Sequence, residues 1–263
     1  MPELGQTGVW TQLLGRWQWE PFIVAIVVGA GLLYSAFWAR QRVLAGATRV
    51  GWRHLVAWLA GLAAVAVALL SPLGTLDHEL FWIHMVQHEL FIFMAPPLFL
   101  FGVVPFLQVA GTRTLPAPMA WLVRVLGRPL VALACSTAIL WLWHAPAAYE
   151  LALASEPVHR LEHLSFLGAY LVYWRPLMRL GGTPPILRTG ASRALYLLAG
   201  GTQSAVLGAL LTFAGTPYYR HYVDTAGAWG FTPLADQQLG GAVMLFSGAA
   251  AYVAAAALTI PDA

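Results

Sequence analysis

The sequence predicts an all-α membrane protein, a polytopic bundle of seven transmembrane helices with the N-terminus outside and the C-terminus cytoplasmic. Three observations carry that reading. Hydrophobic residues make up 59% of the 263 and charged residues only 10%, whereas soluble domains run near a quarter charged. Apolar runs long enough to cross a hydrocarbon core of about 30 Å recur along the whole chain. Those runs lack the alternation of a barrel strand, so each must satisfy its own backbone hydrogen bonds as a helix.

The spans fall at approximately 20–39, 54–72, 79–106, 129–150, 157–179, 194–214 and 236–259, a single bundle domain over 1–263. The first stops at Arg40 and Arg42, and the second begins after Arg49 and Arg53. The third opens on histidines and carries Ala95-Pro96-Pro97, where a kink is expected. A loop with Arg113, Pro116-Ala-Pro118, Arg124 and Arg128 leads to the fourth span, whose end is disturbed at His144-Ala-Pro146. The fifth runs into Arg175 and Arg179 and then Gly181-Gly-Thr-Pro-Pro185. Arg188 and Arg193 precede the sixth, which ends at Gly215-Thr-Pro217. Gly200, Gly201, Gly208, Gly240 and Gly241 are the small residues that let the last two spans approach their neighbours. Trp17, Trp19, Trp38, Trp52 and Trp82 sit at predicted interfaces, where indoles anchor helices. The first twenty residues lack the basic start of a cleavable signal.

Charge sets the direction. All fourteen basic residues are arginine, and eleven of them fall in the first, third and fifth loops. The other side keeps Arg16, Arg160 and Arg220 and holds Glu3, Glu20, Asp77, Glu79, Glu150, Glu156, Asp224 and Asp236. The positive-inside rule then puts the arginine-rich side in the cytoplasm. The net charge of +3 reflects these loops rather than a nucleic-acid patch, so no nucleic-acid partner is expected. A lone Cys135 excludes an internal disulfide and a thiolate cluster.

Six of the eight histidines converge on the extracytoplasmic leaflet. His78, His84 and His88 lie at the start of span three, His144 near the outer end of span four, and His159 and His163 at the start of span five. His84 and His88 are four apart, as are His159 and His163, so each pair shares a helix face with Cβ atoms roughly 5–6 Å apart. Imidazole suits copper, zinc, iron and nickel. Met85 and Met94 offer thioether sulfur nearby, although Met85 points off the His84 face. A single intramembrane histidine more often bonds a neighbouring helix. Six on one side, two pairs at helical spacing, point to a metal site. His54 and His221 read as solvated surface residues.

Among the acids, Glu162 and Glu89 adjoin ligand candidates and either orient a histidine through its second N–H or act as buried carboxyls bonded to another helix. Asp236 at the start of span seven is a metal ligand or a helix N-cap.

The run His84-Met-Val-Gln-His88 followed by Ala95-Pro-Pro-Leu and Gly102 resembles the CtaG family of bacterial cytochrome c oxidase assembly factors, the seven-helix membrane type. Trp143-His144-Ala-Pro146, His159-Arg-Leu-Glu162-His163 and Asp236-Gln-Gln-Leu-Gly240-Gly241 are similar to its later motifs, in the same order. The resemblance covers roughly residues 20–260. It implies a multi-pass protein of the bacterial plasma (inner) membrane that binds copper and supports maturation of a haem–copper oxidase. Its partners would be an oxidase subunit or another copper carrier. Its histidine motifs fall on His84, His88, His144, His159 and His163, with Asp236 in the last helix and His78 as a peripheral candidate.

Three functions compete. A non-enzymatic copper metallochaperone uses the cluster to hold and release its cargo. An intramembrane zinc hydrolase would use His159-Arg-Leu-Glu162-His163 as an H-x-x-E-H motif, with the glutamate as base. A haem cytochrome would need axial histidines from different helices, such as His84 and His163, and would leave their i, i+4 partners redundant.

Overall fold

Proline, glycine and extended residues punctuate the helices. The computed structural model describes residues 15–45, 50–110, 116–178 and 184–259, and among them every regular element is helical. Arg49, Arg113, Arg179 and Glu3, with Gly181-Gly-Thr183, lie outside the described residues. Helix α1 spans Pro21–Ala45 and α2 spans Trp52–Leu70, closed by the extended backbone of Ser71 at φ −82° and ψ 177°. A short α3, Leu73–Leu76, turns the chain into α4, Phe81–Glu89, which continues through a π-helical turn, Leu90–Met94, into α5, Ala95–Ala110. Then come α6 (Ala117–Leu126), α7 (Pro129–His144), α8 (Pro146–Ala154) and α9 (Glu156–Trp174). After these come α10 (Gly190–Thr212), the short α11 (His221–Thr225) and α12 (Pro233–Thr259).

By length and composition, four helical stretches among the described residues can cross a membrane: Pro21–Leu44, Trp52–Leu76, Phe81–Phe106 and Gly190–Thr212. A fifth is added if α6 and α7, bent by 80°, count as one span. The 19-residue α9 is not among them, and its first half explains why: it carries Glu156, His159, Arg160, Glu162 and His163. The chemistry has displaced the apolar signal.

The predicted kink at Ala95-Pro96-Pro97 is absorbed by the π-helical turn just before it. Ile92 O would receive the N–H of residue 96 in an α pattern or of residue 97 in a π pattern, and both are proline. The Trp174 indole supplies the missing donor, Nε1 to Ile92 O, over 2.9 Å. The predicted fourth span 129–150 is broken rather than continuous. Ala145 is extended (φ −65°, ψ 127°) because the residue before a proline avoids the helical region. The freed His144 carbonyl accepts the Tyr219 hydroxyl at 2.9 Å.

α10 and α12 pack most closely of all. A Cβ added at Gly208 would lie 2.8 Å from Gly241 O, and one added at Gly241 would lie 2.6 Å from Thr212 N. Only glycine permits this backbone contact. Elsewhere α2 packs on α5, α4 on α12 and α7 on α9, while α1 leans on α2 and remains mostly exposed.

The two ends of the bundle differ chemically. At the histidine end, Arg16 pairs with Glu79 at 2.7 Å, and Arg160 pairs with Glu20 at 3.0 Å and Glu156 at 2.7 Å. At the other end Arg42 donates to Val50 O at 3.3 Å and Arg175 to Val123 O at 3.2 Å. His54, expected at a solvated surface, lies inside the bundle. It is buried, with Nδ1 donating to Phe101 O at 2.9 Å, so it closes a helix contact instead of facing water.

A candidate metal centre

α4 and α9 meet through their side chains, and each presents one i, i+4 histidine pair to the other. Ring centroids are 4.3 Å apart within His84/His88 and 4.3 Å within His159/His163. Across the helices they are 5.0 Å apart for His84/His159 and 5.6 Å for His88/His163. Glu162 sits between the pairs. Ligand atoms of His84, His88, Glu162 and His163 all lie within 4.8 Å of one another, and all four residues are buried. Glu162 Oε1 is 3.5 Å from His88 Nε2, and Oε2 is 3.7 Å from His84 Nε2 and 4.0 Å from His159 Nε2.

Glu162 is close to these nitrogens without being bonded to them, whereas His84 Nε2 and His159 Nε2 share a hydrogen bond at 3.3 Å. Both Glu162 oxygens, both His88 ring nitrogens and His163 Nε2 have no hydrogen-bond partner. Buried polar atoms in a folded protein are normally paired, and leaving one unpaired costs about 1–3 kcal/mol. Several orphaned donors aimed at one small space are what a cation would satisfy together. Three imidazoles and a carboxylate form an all-N/O set that fits copper or zinc. Among the described residues no cysteine joins the group: Cys135 lies on α7, while Met94 is exposed and Met85 packs toward Gly240 on α12.

Surrounding residues fix the imidazoles. His84 Nδ1 lies 2.7 Å from Tyr149 Oη and 3.1 Å from Tyr222 Oη, these hydroxyls are 3.0 Å apart, and Tyr222 donates to Asp77 O at 2.7 Å. The chain closes when His84 Nδ1–H donates to Tyr149, Tyr149 to Tyr222, and Tyr222 to the Asp77 carbonyl. Every hydroxyl proton then has an acceptor, and the His84 Nε2 lone pair faces the cluster. His144 is held in the same sense: Nδ1 donates to Leu140 O at 2.8 Å, which leaves Nε2 as a buried, unpaired acceptor. Its ring is 5.8 Å from that of His88. It flanks the group of four.

A second grouping adjoins the first. Ligand atoms of Asp77, His78 and His159 also lie within 4.8 Å of one another. Asp77 is buried and its carboxyl is pushed up to about 7 by burial. His78 is half-buried, with its imidazole held below its ordinary range by burial and by neighbouring His221. His221 donates through Nε2 to His78 O at 2.8 Å, so it braces this corner rather than standing free in solvent.

Asp236 is placed elsewhere. Its Oδ2 accepts from Phe81 N at 2.8 Å and its Oδ1 from Trp82 N at 3.1 Å, so it caps α4, not its own helix. Glu89, beside His88 in sequence, is not part of either grouping. Glu162, which the sequence offers as an orienting group, is brought in among the imidazoles. Sequence reasoning missed Asp77 as a site residue, together with Tyr149 and Tyr222. For Asp77 a signal was present, since it directly precedes His78. For the tyrosines there was none, because only the fold brings residues 149 and 222 to His84.

The family model for cytochrome c oxidase caa3 assembly factors matches residues 32–261. Two uncharacterized proteins, from Mycobacterium bovis and Mycobacterium tuberculosis, are each 25% identical over 256 residues, covering 92% of this chain and 38% of their own length. The chain thus spans well under half of these curated relatives. No solved structure matches it.

Proposed function

The chain belongs to the cytochrome c oxidase caa3 assembly factor family, and from that premise we propose that it handles copper for a haem–copper oxidase within the bacterial plasma membrane. In this reading the protein is a seven-span bundle with its N-terminus outside, and α9 and α12 cross the membrane with the more apolar helices. The histidine end then faces the extracytoplasmic side. Copper is cargo, received from another carrier and released to an oxidase subunit, and the protein performs no chemical conversion on it.

One observation carries this reading: the buried convergence of His84, His88, Glu162 and His163, with ligand atoms within 4.8 Å of one another and most of them unpaired. Ionisable groups inside a membrane are costly, and where they persist they mark function. The N/O donor set suits a divalent first-row ion and holds it without a thiolate. Glu162 favours a carrier over a hydrolase. Its oxygens face the same imidazoles that would bind the ion, which makes it a fourth donor rather than a base set back to activate water.

The test is direct. The protein is purified from copper-supplemented cells and its copper measured by elemental analysis, alongside a variant carrying His84→Ala and His88→Ala. Copper in the first and its loss in the second support the assignment. Equal copper in both defeats it.

A further inference from the structure

We propose that Asp77, His78 and His159 form a second, outer metal site, from which the ion passes inward to His84, His88, Glu162 and His163 by exchange at His159. This inference rests on the copper-handling reading above and extends it from one site to two.

His159 stands between the two groups. Its Nε2 lies 3.8 Å from Asp77 Oδ2 on one side, and 3.3 Å from His84 Nε2 and 4.0 Å from Glu162 Oε2 on the other. Two nitrogens that bind one tetrahedral ion at about 2.0–2.1 Å stand roughly 3.3–3.4 Å apart. His159 can therefore share an ion with His84 where it already stands, and it needs only a small shift to share one with Asp77. A neutral imidazole offers one lone pair at Nε2, so His159 serves one ion at a time. When it binds the outer ion, the inner group still has four donors. When the outer site empties inward, His159 leads the ion to His84. No electron or bond other than metal–ligand bonds is exchanged.

Access fits the same order. A cavity of about 410 Å³ is lined by Asp77, His78 and His159 and reaches His163. The His78 side chain is 36% exposed, whereas His84 and Glu162 are 0% exposed. An ion arriving through the cavity meets the outer triad first. Glu20 and Glu156 line the same cavity with Arg160, which pairs with both, so these three groups leave one net negative charge at its wall.

The experiment uses the full chain in detergent, saturated with Cu(II), desalted, and read as copper per chain. The wild type is expected to hold two ions. Asp77→Asn with His78→Gln is expected to hold one and to load it more slowly. His88→Gln with His163→Gln is expected to hold one, and all four changes together none. Retention of one ion by either double variant shows that the variant is folded. A wild type that holds one ion, unchanged by Asp77→Asn with His78→Gln, overturns the outer site and leaves the inner one standing. A wild type that holds no copper overturns both.

Discussion

Asp236 on α12 accepts the backbone N–H of Phe81 on α4 at 2.8 Å, across 155 residues of sequence. Leu80, at the N-cap position of α4, is extended and has no side chain able to cap. Asp236 takes that role from another helix and adds Trp82 N at 3.1 Å. The first turn of α4 is thereby fixed just before His84.

Asp236→Ala leaves two amide donors without their acceptor and is expected to cost about 1–3 kcal/mol. Thermal unfolding in detergent should show a lowered Tm, with copper retention reduced as His84 loses its fixed register. Asp236→Asn, which keeps one acceptor, should fall between.

Tyr149→Phe removes the nearer of the two hydroxyls that accept the His84 Nδ1 proton and leaves Tyr222 Oη at 3.1 Å. Removing such an outer partner typically lowers metal affinity about 10–100-fold. A competition titration against a copper chelator should show that loss with little change in Tm. An unchanged affinity would mean that the hydroxyl does not set the orientation of His84.

Trp174→Phe removes the donor to Ile92 O and is expected to destabilise by about 1–3 kcal/mol, because neither Pro96 nor Pro97 can replace it. Adding Pro96→Ala returns a backbone N–H at the α-helical position. The double variant should recover part of the lost Tm. Failure to recover would show that the indole acts through packing alone.

Gly241→Leu forces α10 and α12 apart, since even a Cβ there would sit 2.6 Å from Thr212 N. Overpacking of this kind costs about 1–3 kcal/mol or more. Gly29→Leu on α1, where no atom lies within 4 Å of the added Cβ, is the matched control and should not lower Tm, since leucine is the better helix former.

Much of this could be read in the sequence, for identifiable reasons. Helical spacing of His84 with His88 and of His159 with His163 fixes which face each pair shares, and their meeting at one end of the bundle follows from the order of apolar runs. The predicted third span, 79–106, matches the continuous helical stretch from Phe81 onward because its apolar content survives the two histidines. What spacing could not give is what lies opposite. Glu162 is three residues from His159, and only the tertiary structure, which turns α9 toward α4, brings its oxygens to His84 and His88. Asp236 opens a helix, so a local cap or a ligand were its natural readings. Its actual partners, Phe81 and Trp82, depend on how α12 meets α4. His54, beside an arginine loop, reads as solvated, yet Phe101 O on α5 takes its N–H. The break after His144 was signalled by Pro146, but the compensating hydroxyl from Tyr219 was not.

X-ray absorption at the copper edge, on the copper-loaded protein and on Glu162→Gln, reports whether the buried imidazoles and Glu162 hold the ion. The expected first shell holds nitrogen and oxygen only, with imidazole scattering and one light donor lost or lengthened in the variant. A sulfur scatterer in the first shell, or a spectrum identical in both proteins, would contradict it.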